Sequence, residues 1–205
     1  MAKHELGDLE KIRQNLEQWL AARLPDADDL SLDELKFPEE SGESSVTLLL
    51  SGSGTGGPVH CVCRMKPVDS HVFDSHDLEL QYRLMEIAAE AGVPVPSLFG
   101  YESDSSLVGS DFYIMEFIDG QIPTDNPPFA FGGWVTELDD AQRSLMWNNG
   151  LEAMARVHMI NPDNYDLPTL PRSGPAQSPI QHEIDKFDAM ITDQLRENMH
   201  PDLAE

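Results

Sequence analysis

Two apolar runs, Ser45 to Leu50 and Val59 to Met65, stand on either side of the glycine-rich segment SGSGTGGP, and this arrangement constrains the fold more than any other part of the chain. Both runs are strand-length, and the turn formers between them predict an antiparallel hairpin. Gly52, Gly54, Gly56 and Gly57 also resemble a phosphate-cradling loop, whose bare backbone N–H groups bind anions. A nucleotide loop of that type runs from a strand into a helix, however, and here both flanks read as strands. The segment is expected to be a mobile hairpin tip.

A third strand-like run, Leu30 to Phe37, precedes the hairpin and makes it a meander. Upstream, Leu6, Leu9, Ile12, Leu16, Trp19, Leu20 and Leu24 recur at helical spacing until Pro25, which predicts an amphipathic helix packed on the sheet. Downstream, a helix is expected from about Ser75 to Ala91, with Ser75 as N-cap, Asp77 in its first turn, and Leu78, Tyr82, Met85 and Ala89 on one face. Strands around Ser97 to Glu102 and Asp111 to Ile118 would complete a five-stranded sheet, the signature of an α+β lobe. Past Gly120 the chain turns to a Pro- and Gly-rich loop, QIPTDNPPFAFGGW, and then to helices. One spans about Asp139 to Met159, with Leu145, Leu151, Met154, Ala155 and His158 at helical offsets. Another opens at Ser178, where Ser178, Pro179 and Gln181 suggest a capping box and Ile180, Ile184, Phe187, Ile191 and Leu195 form the stripe. The expected organisation is a lobe of residues 1–120 and a helical lobe of residues 121–205.

A net charge of -24 leaves no broad basic surface for nucleic acid or an anionic membrane. No stretch approaches the roughly 20 consecutive apolar residues of a membrane span, and the opening MAKHELGDLEK lacks the apolar run of a signal peptide, so a cytoplasmic location is expected. Cys61 and Cys63 should share one face of a strand, too close together for a disulfide, with His60 a surface residue beside them. No metal site is indicated.

The turn FPEESGESS places Gly42, Ser44 and Ser45 where backbone and hydroxyls can approach an anion. Arg64 ends the following strand, with Lys66 two residues on and on the same face. A cation emerging from a strand beneath such a turn can neutralise nucleotide phosphates.

Taken in order, SGESSVTLLL, CVCRMKP, SHDLELQYRLM, GVPVPSLFGYESDSSLVGSDFYIMEFIDG and LEAMARVH resemble the N-terminal portion of the aminoglycoside phosphotransferase family, in the branch that includes kinase domains linked to acyl-CoA dehydrogenases. The resemblance implies a protein-kinase-like fold, with a five-stranded antiparallel N-lobe bearing one helix and the first helices of a C-lobe. It also implies transfer of a phosphoryl group from ATP, with Mg²⁺, to a hydroxyl of a small molecule. Position by position, Arg64 would be the strand cation, and Ser44 and Ser45 would cover the phosphates. Met115 would back the adenine pocket, and backbone groups of Glu116 and Ile118 would bond the adenine edge with Phe117 between them. Asp125 and Trp134 would fall near the cleft mouth, and His158 would be a structural, buried or half-buried residue. Gln81 departs from the pattern: it stands where the family has a glutamate paired to the cation, and can accept a hydrogen bond but supplies no charge. The family's H-G-D-x-x-x-x-N loop is missing, since only three residues follow the HPD of His200 to Asp202. The expectation is an ATP-binding part of a phosphotransferase that does not turn over alone and belongs to a longer parent. Two other readings are a non-catalytic nucleotide-binding or regulatory module derived from a kinase, and an interaction domain that binds no nucleotide.

Overall fold

The computed structural model describes residues 7–38, 45–67, 77–167 and 178–194. The chain divides into two compact units, Met1–Asn164 and Tyr165–Glu205, and each is described by itself.

In the first unit Asp8 opens helix α1 (Leu9–Ala21), its carboxylate accepting from the backbone N–H groups of Glu10 and Lys11 at 3.0 and 3.3 Å. Strands β1 (Ser31–Leu32), β2 (Val46–Gly54), β3 (Gly57–Met65), β4 (Leu98–Glu102) and β5 (Phe112–Glu116) form one antiparallel sheet in the order β1-β2-β3-β5-β4. Helix α2 (Leu78–Glu90) joins β3 to β4, and helix α3 (Asp140–His158) follows the long loop after β5. The second unit contains helix α4 (Pro179–Gln194). This is the expected five-stranded α+β arrangement. No helix among the described residues is long and apolar enough to cross a membrane.

Side chains alternate across a strand, so the register sorts the sheet into two faces. Val46, Leu48, Leu50, Cys61, Cys63, Met65, Phe112 and Ile114 share one face and are buried against Ile12, Leu16, Trp19 and Leu20 of α1. The helical stripe read from the sequence is thus a core-facing one. The other face carries Leu49, Val62, Arg64, Tyr113 and Met115. There α2 sets Tyr82 against Tyr101 and Tyr113, with ring centroids 6.1 and 6.0 Å apart.

The glycine-rich hairpin is tied down, contrary to the mobile tip expected. Asp29 accepts from both the N–H and the hydroxyl of Thr55, at 2.7 and 2.6 Å, and the Gly56 N–H donates to the Asp26 carbonyl at 2.8 Å. The glycines serve close packing: a Cβ on Gly54 would come within 3.3 Å of the Leu30 backbone, and one on Gly56 within 3.1 Å of the Pro25 carbonyl.

Other expectations need correction. The strand predicted over Leu30 to Phe37 pairs only at Ser31–Leu32, because the chain leaves the ladder at the exposed Asp33 and Glu34 and touches it again at an isolated Lys36–Leu49 bridge. Asp77 is the N-cap of α2, accepting from Leu80 N–H at 2.8 Å; Ser75 lies outside the described residues. On α2 it is Leu78 and Ile87 that are buried, while Ala89 is exposed. Lys66 lies past the end of β3 and is exposed. Helix α3 carries the capping box, Asp139 with Gln142, that the sequence reading missed. At α4 the Ser178 hydroxyl does cap Gln181 N–H at 3.1 Å, but the Gln181 amide donates to Asp185 at 2.7 Å. None of the residues of α3 is buried.

Candidate functional site

The second sheet face is built in two rows. Cross-strand register aligns Leu49, Val62 and Met115 in one row and Thr47, Arg64 and Tyr113 in the next. An apolar floor therefore lies one strand step from a fixed cation. Ser45 belongs to the same side as Thr47 and Leu49 by the two-residue period, and its hydroxyl accepts a short hydrogen bond from Arg64 Nη2. Arg64 Nε is buried with no hydrogen-bond partner.

The charge on Arg64 is also unmatched among the described residues. Arg13, Arg23, Arg83, Arg143 and Arg156 each hold a carboxylate, and Arg64 holds none. Gln81 is exposed on α2 and makes no side-chain hydrogen bond with a described residue. Burial raises the pKa of the Tyr113 hydroxyl beside this cation, partly offset by the Arg64 charge.

At the end of β5 the ladder is incomplete in a specific way. Phe117 N–H donates to His60 carbonyl at 3.2 Å, so odd-numbered residues of this strand bond to β3 and even-numbered ones face away from it. Glu116 N–H donates to Ser97 carbonyl at 2.8 Å. A regular antiparallel pair would return a bond from Ser97 N–H to the Glu116 carbonyl. Here Ser97 N–H and hydroxyl donate instead to Glu116 Oε2, at 3.2 and 2.8 Å, and these bonds hold the carboxylate below its usual pKa, the hydroxyl contributing most. The Glu116 carbonyl and the Ile118 N–H are left as an acceptor and a donor two residues apart, both without partners among the described residues. Phe117 and Ile118 are exposed beside them.

The structure thus brings Ser45, Arg64 and Met115 onto one face, with Phe117 and Ile118 at its margin; the Glu116 side chain, opposite Cys61, lies on the other face, and only its main chain reaches the margin. Ser44 lies outside the described residues, as does the HPD of His200 to Asp202. Asp125 is exposed, and Trp134 Nε1 donates to the Ile122 carbonyl at 3.2 Å. His158 is exposed in the last turn of α3, where a basic side chain suits the helix dipole, and not half-buried as expected. Sequence reasoning missed Leu49, Val62 and Ser97, whose only signal is the register that sets them opposite or diagonal to Met115 and Glu116. Among the described residues no three His, Cys, Asp or Glu side chains stand together as around a metal ion.

Comparison with known proteins bears on the family and the fold. The chain is 30% identical over 113 residues to mouse acyl-CoA dehydrogenase family member 10, covering 55% of this chain and 10% of that protein. It is 28% identical over 166 residues to chicken acyl-CoA dehydrogenase family member 11, covering 80% of this chain and 19% of that protein. It therefore spans a fifth or less of the length of these relatives. A crystal structure from Ralstonia eutropha, assigned as an aminoglycoside phosphotransferase, superposes with a TM-score of 0.57 at 22% identity over 87% of this chain and 46% of that one, which shows the shared kinase-like fold. The family model described as "Phosphotransferase enzyme family" matches residues 40–203, most of the chain, and on that match the chain belongs to the phosphotransferase enzyme family.

Proposed function

We propose that residues 1–120 form the nucleotide-binding lobe of an ATP-dependent small-molecule phosphotransferase and that residues 121–205 open its helical substrate lobe. The carrying observation is Arg64, a cation with a buried, partnerless N–H and no carboxylate among the described residues, beside the apolar row of Leu49, Val62 and Met115. Adenine would lie on that row, with its 6-amino group on the Glu116 carbonyl, its N1 on the Ile118 N–H, and Phe117 flanking it. Arg64 would take the phosphates, with Ser44 and Ser45 over them. The row excludes water from the base, and the guanidinium holds charge where phosphate charge falls.

The acceptor would be a hydroxyl of a small molecule. Mg²⁺ would neutralise phosphate charge; among the described residues no three His, Cys, Asp or Glu side chains stand together to hold it. Without an H-G-D-x-x-x-x-N loop in the 205 residues, this stretch would bind ATP and not turn it over. The test is titration calorimetry of the chain with ATP, using Arg64→Met as the comparison. A measurable ATP affinity that falls at least about tenfold in the variant, as expected for a charge-assisted contact, supports the reading. Absence of binding by the unaltered chain, or equal binding by both, would sink it.

A further inference from the structure

The Glu116 side chain does something that a β-strand residue at this position need not do. Its carboxylate occupies the Ser97 N–H, the donor that a regular pair would direct at the Glu116 main-chain carbonyl. The same oxygen takes the Ser97 hydroxyl, so two donors fix one carboxylate oxygen. The N–H of Glu116 stays in the ladder, bonded to Ser97 carbonyl, which holds the two strands together although the return bond is absent. The carbonyl is thus released without loss of strand pairing.

We propose that Glu116 is a positioning and specificity-determining residue: by substituting for its own carbonyl in the ladder, its side chain frees that carbonyl to accept from a purine 6-amino group. This rests on the nucleotide reading above. A 6-oxo purine presents an acceptor at that position and a donor at N1, and so mismatches both the carbonyl and the Ile118 N–H. The carboxylate never touches the base. It acts through the main chain.

In Glu116→Ala, Ser97 N–H turns to the carbonyl and closes the ladder, and a 6-amino base loses its acceptor. Glu116→Gln keeps a side-chain oxygen for Ser97 and preserves the arrangement. The experiment measures ATP and ITP affinities and melting temperatures of the full chain and both variants. The unaltered chain is expected to prefer ATP. Glu116→Ala should lose about three- to tenfold in ATP affinity, the worth of one neutral hydrogen bond, with ITP changed less than about twofold, while Glu116→Gln retains the preference. Equal losses for both nucleotides in Glu116→Ala, tracking a fall in melting temperature, would reduce the residue to a structural one and overturn the proposal. So would an unchanged ATP:ITP ratio, or Glu116→Gln behaving as the alanine variant does. Failure of the unaltered chain to bind either nucleotide would overturn the nucleotide reading first, and this proposal with it.

Discussion

Replacing Gly52 by alanine separates the two roles that a glycine-rich hairpin can have. Gly52 pairs with Leu32 across β1 and β2, and an added Cβ would lie 2.9 Å from the Leu32 Cα and closer still to the Ser31 carbonyl oxygen. Both obstacles are backbone, so no rotamer change relieves them; β1 must move away and lose its pairing. Overpacking of this kind costs about 1–3 kcal/mol, or about 2–12 °C in melting temperature for a chain of this size. Calorimetric melting reads the shift, and ATP titration below the transition reads the site. The expected result is a lowered melting temperature with ATP affinity unchanged, because the hairpin tip lies at the Asp26–Asp29 clamp and not in the Arg64 row. A variant that melts like the parent but loses ATP binding would refute the reasoning and return the segment to the role of a phosphate loop.

Arg64→Met should melt no lower than the parent, since it removes a buried N–H without a partner, whose cost is about 1–3 kcal/mol, while losing nucleotide affinity; a clear drop in melting temperature would mean that the bond to Ser45 outweighs that cost. Hydrogen bonds from Thr55, its hydroxyl first, hold the Asp29 carboxyl below its ordinary value of 3.8, so the clamp is intact above that pH and weakens as pH falls through the lower folded value. The Thr55 amide resonance should therefore titrate in acid and be pH-independent in Asp29→Asn. Burial pushes the Cys61 thiol up to about 11 and the Cys63 thiol higher still, so neither should react with a thiol reagent at neutral pH until denaturant is added; fast labelling of the folded chain would contradict this core placement.

How much of this was legible depended on how far apart the deciding residues lie in sequence. The hairpin, the α1 stripe and α3 rest on local signals, namely turn formers and helical spacing, and these elements were read correctly in kind, although the caps of α2 and α3 were not. The purpose of the glycines was not, because it is set by Pro25 to Leu32, twenty or more residues away. Leu35 and Phe37 mimic a strand, yet Asp33 and Glu34 prefer water, and a two-residue β1 satisfies both. Arg64 and Met115 could be named from ordered motifs; Leu49, Val62 and Ser97 could not, since an antiparallel register is fixed by bulges and turns that sequence spacing does not reveal. The shift between Leu98 and Gly100 is one such bulge, and it decides which residue faces Glu116.

The charge pattern carries the same lesson further. In a chain with 37 acidic and 13 basic residues, an arginine meets a carboxylate unless its surroundings prevent it. Five of the six described arginines do so, mostly with neighbours three or four residues away on a helix. Arg64 sits on a strand, where the same-face neighbours are Thr47 and Tyr113 across the ladder, and the helix position that the family fills with glutamate is an exposed glutamine. Net charge would favour neutralising this cation, and local geometry withholds every described carboxylate from it. On the proposed reading, a group without a described carboxylate and with one N–H already buried would be preorganised for an anion brought from outside, and the neighbouring apolar row would favour one attached to a flat, weakly hydrated body. A nucleoside phosphate, the ligand proposed, would meet both conditions.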